Sequence, residues 1–126
     1  MSAHEPHRVL VVDDQLDMAK MIAEHLSDRG YAAVAESSPR RAVEMLSTQY
    51  FDVLVTDLRM PDIDGITLLR ISRELDPKRP VIMLTAHSTV ETAVEATGRG
   101  AYHYLIKPFR LEVLLRLVEQ SLAVPR

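Results

Sequence analysis

The chain has 126 residues, 47% of them hydrophobic, 26% charged and 5% aromatic, with no Cys and no Trp. That length suits one domain that buries roughly two-thirds of its unfolded surface, and the missing Cys excludes disulfides, thiolate zinc sites, iron–sulfur clusters and Cys nucleophiles. A formal net charge of -3 offers no broad basic surface for nucleic acid, no run approaches the roughly 18 apolar residues of a membrane span, and residues 1–7 lack a signal peptide's apolar core, so a soluble, cytoplasmic protein without direct nucleic-acid or membrane contact is expected.

Residues 8–12 (RVLVV) form a short β-branched run of the kind buried on both faces of a parallel sheet. Ala19, Ile22, Ala23 and Leu26 then recur at helical spacing, and Gly30 is a helix stop. Residues 31–35 predict an Ala-rich second strand. Ser38 and Pro39 open the next helix as cap and first-turn residue, with Ala42, Met45 and Leu46 on its apolar face. Residues 51–56 (FDVLVT) predict the third strand, and Met60-Pro61-Asp62 and Asp64-Gly65 mark a loop. Ile66, Leu69 and their neighbours through Leu75 supply a third helix that ends before Pro77.

Residues 80–84 (PVIML) predict the fourth strand. Ser88 and Glu91 form a capping box for a fourth helix, whose apolar face is Val90, Ala93, Val94 and Thr97 and whose end is marked by Gly98 and Gly100. Residues 102–106 predict the fifth strand. Leu111, Leu114, Leu115, Val118 and Leu122 then give the last helix the most regular amphipathic period in the chain. Five alternations of strand and helix predict an α/β domain with a doubly wound, five-stranded parallel sheet. An α+β fold with antiparallel pairs is the alternative, disfavoured because no Asn-Gly type of hairpin turn joins any two strands. The domain is expected over residues 8–122, with a tail at 1–7 and a tail or the start of a linker at 123–126.

In a parallel sheet all carboxyl ends share one edge, and ligands bind there. Strand one ends in Asp13-Asp14, strand three in Asp57, strand four in Thr85 and strand five in Lys107-Pro108; strand two ends in Ala35-Glu36-Ser37, which adds no obvious chemistry. Three converging carboxylates repel, and a hard divalent cation such as Mg²⁺ removes the conflict. Lys107 and Thr85 could then meet phosphoryl oxygens, and one carboxylate could act as a nucleophile that forms an acyl phosphate. Singly, each residue has a plainer role: Asp13-Asp14 as a helix cap, Asp57 as a turn residue, Thr85 as a strand residue, Lys107 as a solvated charge. The set together points to phosphoryl transfer.

With these residues in view, the chain resembles the receiver domain of two-component response regulators, the CheY-like fold. VLVVDD at 9–14, VLVTDLRMPDIDG at 53–65, VIMLTA at 81–86 and YLIKPF at 104–109 carry the resemblance, and the stretch 84–109 is most similar to receivers of NtrC-like transcriptional activators. The resemblance implies a flavodoxin-like (βα)5 fold with strand order 2-1-3-4-5. It implies that Asp57 accepts a phosphoryl group from a histidine kinase or phosphotransfer protein. Asp13, Asp14, Asp57 and the backbone carbonyl of Arg59 would hold Mg²⁺, with Mn²⁺ as a substitute, and Lys107 would pair with the phosphoryl group ahead of a cis bond to Pro108. Thr85 and Tyr104 would form the switch, and Arg59 and His87 would tune the lifetime of the phosphoryl group.

A homodimer through the fourth helix, fifth strand and last helix is a further implication, with Arg110 and Arg116 as candidates for ion pairs between subunits, although exposed salt bridges of little energetic weight are the plainer reading of both. The output would regulate transcription through another domain, or pass by protein contact from a stand-alone receiver. In either case the chain would modify itself and turn over no free substrate. The rival reading is an aspartate-dependent phosphatase, but such enzymes carry a second Asp two residues after the nucleophile, where Arg59 stands here. His4 and His7 make only a weak metal pair, and Arg40-Arg41 reads as a solvated basic pair at a helix start.

Overall fold

The computed structural model describes residues 5–86, 95 and 97–123. Five strands, β1 (Arg8–Val12), β2 (Ala32–Glu36), β3 (Val53–Asp57), β4 (Val81–Thr85) and β5 (His103–Ile106), form one sheet in the order β2-β1-β3-β4-β5. Every neighbouring pair is parallel. The described helices are α1 (Leu16–Asp28), α2 (Pro39–Thr48), α3 (Gly65–Leu75) and α4 (Leu111–Ala123). Of the helix expected after β4, residues 87–94 and 96 lie outside the described residues, so the expected capping box and most of its apolar face do too; Glu95, Thr97 and Gly98 are helical.

The expected doubly wound sheet is present, and the strand sequences explain it. Successive side chains of β1, β3 and β4 alternate between two cores. Val9, Val11, Val53, Val55, Ile82 and Leu84 pack with α1 and α4. Leu10, Val12, Leu54, Val81 and Met83 pack with α2 and α3. Burial on both faces is why these central strands are apolar throughout, whereas β2 and β5, at the two edges, are only partly buried.

The helix ends follow their sequence signals with one correction. Gly30, at φ 95, ends α1, and Gly30 and Tyr31 N–H donate to the carbonyls of Ser27 and Leu26. Ser38 caps α2 by accepting from Arg41 N–H. Asp64-Gly65, expected as loop, is instead the start of α3: Asp64 caps the helix by accepting from Thr67 N–H, and Gly65 is its first residue. A loop reading follows from Asp-Gly as a turn dipeptide, but an Asp before an apolar helical period is equally an N-cap.

The amino edge of the sheet is tied by polar groups. Arg79 is 4% exposed and donates to Phe51 O (3.0 Å) and to Ser72 Oγ (2.9 Å), joining the start of β3 to α3. Arg8 places its guanidinium carbon 4.7 Å from the Phe51 ring centroid.

Candidate active site

Each strand ends where its apolar run gives way to polar residues, and the registers align those ends. Val12 lies opposite both Glu36 and Thr56, Asp57 opposite Leu84, and Thr85 opposite Ile106. Asp13, one residue past β1, is fully buried. Its N–H donates to Glu36 O (3.1 Å) and its Oδ1 accepts from Gln15 N–H (2.9 Å), which fixes the carboxylate. The end of β2 therefore does contribute, through a backbone carbonyl. Asp14 is exposed.

Asp57 is the last residue of β3 and 8% exposed. Leu58 N–H is shared between Leu84 O (2.7 Å) and Asp57 Oδ1 (3.0 Å), locking the side chain beside β4. Lys107 follows β5. Its N–H donates to Thr85 O (2.7 Å), its Nζ donates to Asp13 Oδ2 (2.8 Å) and lies 3.5 Å from Asp57 Oδ1, and its bond to Pro108 is cis. Thr85 ends β4 and is buried. The structure thus brings together the side chains of Asp13, Asp14, Asp57 and Lys107, with Thr85 joined to Lys107 through its backbone carbonyl.

One oxygen from each of Asp13, Asp14 and Asp57 lies within 4.8 Å of the others. Burial pushes the Asp57 carboxyl above the ordinary carboxylate range. The Asp13 charge pushes the same way, Asp14 adds to it, and Lys107 opposes without cancelling. Burial works against the Lys107 ammonium, yet its hydrogen bond to Asp13 and the Asp57 and Asp13 charges outweigh that, leaving it above its ordinary value. A single cation therefore leaves the carboxylates under-compensated. An all-oxygen donor set with excess negative charge fits a hard divalent ion, which accepts one or two carboxylates and keeps waters.

Arg59 is exposed and lines a cleft of about 280 Å³ over Asp57, together with Asp14, Gln15, Ala86 and Lys107. His87 lies outside the described residues. Tyr104 is half-buried opposite Met83, packs against the α2–α3 core, and has its ring 6.2 Å from that of His103.

Sequence reasoning missed one support of this site. A Cβ on Gly65 would stand 2.4 Å from Asp57 O, 2.8 Å from Met83 Sδ and 2.9 Å from Leu58 Cα, and Gly65 N–H donates to Leu58 O (2.8 Å). The helix start can approach β3 this closely only because residue 65 has no side chain. Arg40 and Arg41 are exposed, as expected of a solvated pair, and each also meets a carboxylate: Arg40 binds Asp62 through two nitrogens, and Arg41 Nε is 3.4 Å from Glu36 Oε1. The signal for the Arg40–Asp62 contact was faint, since opposite charges 22 residues apart pair only once the fold is known.

The sequence pattern of the response regulator receiver domain matches residues 9–119. The transcriptional regulatory protein ZraR of Escherichia coli K12 is 40% identical over 95% of this chain and 27% of its own length. The DNA-binding transcriptional regulator NtrC of Proteus hauseri is 38% identical over 90% of this chain and 24% of its own length. This chain thus spans about a quarter of these relatives. The receiver domain of Francisella response regulator 1452 superposes with a TM-score of 0.85 at 33% identity, covering 91% of this chain and 95% of that one. A parallel sheet in the order 2-1-3-4-5, with acidic and basic strand ends gathered on one edge and a family pattern covering most of the sequence, places this chain among the receiver domains of two-component response regulators.

Proposed function

We propose that Asp57 accepts a phosphoryl group from a phosphohistidine of a sensor histidine kinase or phosphotransfer protein, and that the modified chain acts as a conformational switch. The observation that carries this reading is the position of Lys107 Nζ between Asp13 and Asp57, 2.8 and 3.5 Å away, in a three-carboxylate cluster. An Asp57 oxygen attacks phosphorus, the bond from phosphorus to the donor imidazole breaks, and the leaving imidazole takes up a proton. The donor set fits Mg²⁺ on Asp13, Asp14, Asp57 and the Arg59 carbonyl, with Mn²⁺ as a substitute. The ion would supply charge neutralisation at the phosphoryl oxygens.

In this reading Lys107 steadies a phosphoryl oxygen. Thr85 turns its hydroxyl to another, and Tyr104 moves inward as the loop after β4 tightens. Arg59, with His87, shields the acyl phosphate from water. Leu16 and Met21, exposed on α1 beside the cleft, suit the docking of the phosphodonor. The readout face comprises the segment after β4, together with β5 and α4. Tyr102, Ile106 and Val113 expose apolar surface there, which suits a homodimer or an output partner. Output through transcription follows the named roles of ZraR and NtrC.

Intact mass after incubation with Mg²⁺ and acetyl phosphate tests the core of this reading. One base-labile phosphoryl group that is lost in Asp57→Ala is the expected result. No adduct would overturn it, and sustained release of phosphate from many monoesters would favour the phosphatase reading. Sedimentation with and without beryllofluoride then tests the dimer face.

A further inference from the structure

The loop from Leu58 to Asp64 carries Arg59 and is fixed at both ends, where Gly65 N–H donates to Leu58 O (2.8 Å). Between those ends the chain bends sharply. Ile63 N–H donates to Pro61 O (2.9 Å), closing a three-residue turn on Asp62. Asp62 holds φ 76, a left-handed conformation that residues with a side chain rarely adopt. Such a turn persists only where its surroundings hold it.

Two side chains do the holding. Met60 is buried in the core between α2, α3 and the sheet. From outside, Arg40 grips both carboxylate oxygens of Asp62 through Nε and Nη2, the latter at 3.0 Å. Arg40 stands in the first turn of α2, a helix seated in the core by Ala42 and Leu46. A two-point guanidinium–carboxylate contact fixes direction as well as distance. Both side chains are exposed, so the pair adds little to global stability. What it can set is the path of the backbone through Arg59.

We propose that Arg40 is a positioning residue for the cation site: by clamping Asp62 in its strained turn, it holds the loop so that the Arg59 carbonyl faces the carboxylate cluster. This rests on the reading of that carbonyl as a metal ligand. It makes a prediction opposite in sign to plain electrostatics. Removing a positive charge near an anionic site should tighten cation binding, whereas losing the clamp should weaken it.

The test compares wild type, Arg40→Ala, Asp62→Gly and the double variant by calorimetric Mg²⁺ titration and by hydrogen exchange of the Ile63 amide in metal-free protein. Arg40→Ala is expected to weaken Mg²⁺ binding about three- to tenfold, at or below the lower end of outer-shell effects on metal sites, and to speed exchange at Ile63. In the Asp62→Gly background, where glycine adopts the turn unaided, removing Arg40 is expected to change neither readout. Unchanged or tighter Mg²⁺ binding in Arg40→Ala, or an equal loss in both backgrounds, would overturn the proposal. If wild type binds no Mg²⁺, the metal reading itself falls. The exchange at Ile63 then decides the clamp alone: faster in Arg40→Ala supports it, unchanged removes it.

Discussion

Lys107 Nζ lies 2.8 Å from Asp13 Oδ2 but 3.5 Å from Asp57 Oδ1, so the ammonium bonds to the fully buried carboxylate and only leans towards its neighbour. Cutting this contact strands Asp13 without its cation. Lys107→Ala is expected to destabilise the metal-free protein by about 2–4 kcal/mol, between the values for exposed and fully buried pairs, as read by urea unfolding. The Lys107 pKa is raised by folding. Its contribution is therefore complete below the unfolded value of about 10.4 and is lost as pH rises through the higher folded value. On the alkaline side, the gap between wild type and variant should close only above that range.

Asp57→Asn should act in the opposite direction. Burial and then Asp13 raise the Asp57 carboxyl, so its ionised form is a burden on the native state. The burden appears as pH rises past the unfolded value of about 3.9 and is complete above the folded value. At neutral pH the variant is expected to be the more stable of the two, read as a higher Tm. Below about pH 3.9 the difference should vanish. Mg²⁺ should stabilise wild type more than the variant, so that the two melting curves approach each other.

Gly65→Ala forces a methyl group to within 2.4 Å of Asp57 O and 2.9 Å of Leu58 Cα, both backbone atoms that cannot swing aside. The expected cost is about 1–3 kcal/mol or more in urea unfolding. Phosphorylation by acetyl phosphate should also slow, because the displaced atoms carry Asp57. A stable variant with wild-type phosphorylation would show that α3 can back away from β3.

Arg59→Ala is expected to shorten the half-life of the phosphorylated protein several-fold while leaving the secondary structure intact. Arg59 lines the cleft over Asp57 and is exposed, so its loss opens a path for water without emptying a core. Decay of the aspartyl phosphate, followed by intact mass, checks this.

How much of this was legible beforehand depends on the range of the interaction. The central strands were readable because burial on both faces leaves unbroken apolar runs such as RVLVV. The site was readable because a parallel sheet sends every strand end to one edge, so Asp13, Asp57, Thr85 and Lys107 fall together once the alternation is seen. The bounds of β2 to β5 shifted by a residue or two, since composition alone does not mark where ladder pairing starts and stops. The need for Gly at position 65 could not be read without knowing how closely α3 approaches β3. Arg40 with Asp62, and the buried Arg79, depend on contacts between elements for which no local pattern exists. Leu117 joined the buried face of α4 beyond the expected stripe because the stripe is wider than the spacing alone suggests.

Arg79 gives this architecture a practical asymmetry. Its guanidinium fastens Phe51 O and Ser72 Oγ at the end of the sheet away from the carboxylate cluster, so this anchor can be cut without touching the chemistry. A substitution such as Arg79→Leu should therefore lower stability while leaving cation binding and phosphorylation rates at wild-type values. It supplies the calibration against which every variant on the other rim can be judged: a loss of activity that Arg79→Leu does not share belongs to the chemistry and not to the fold.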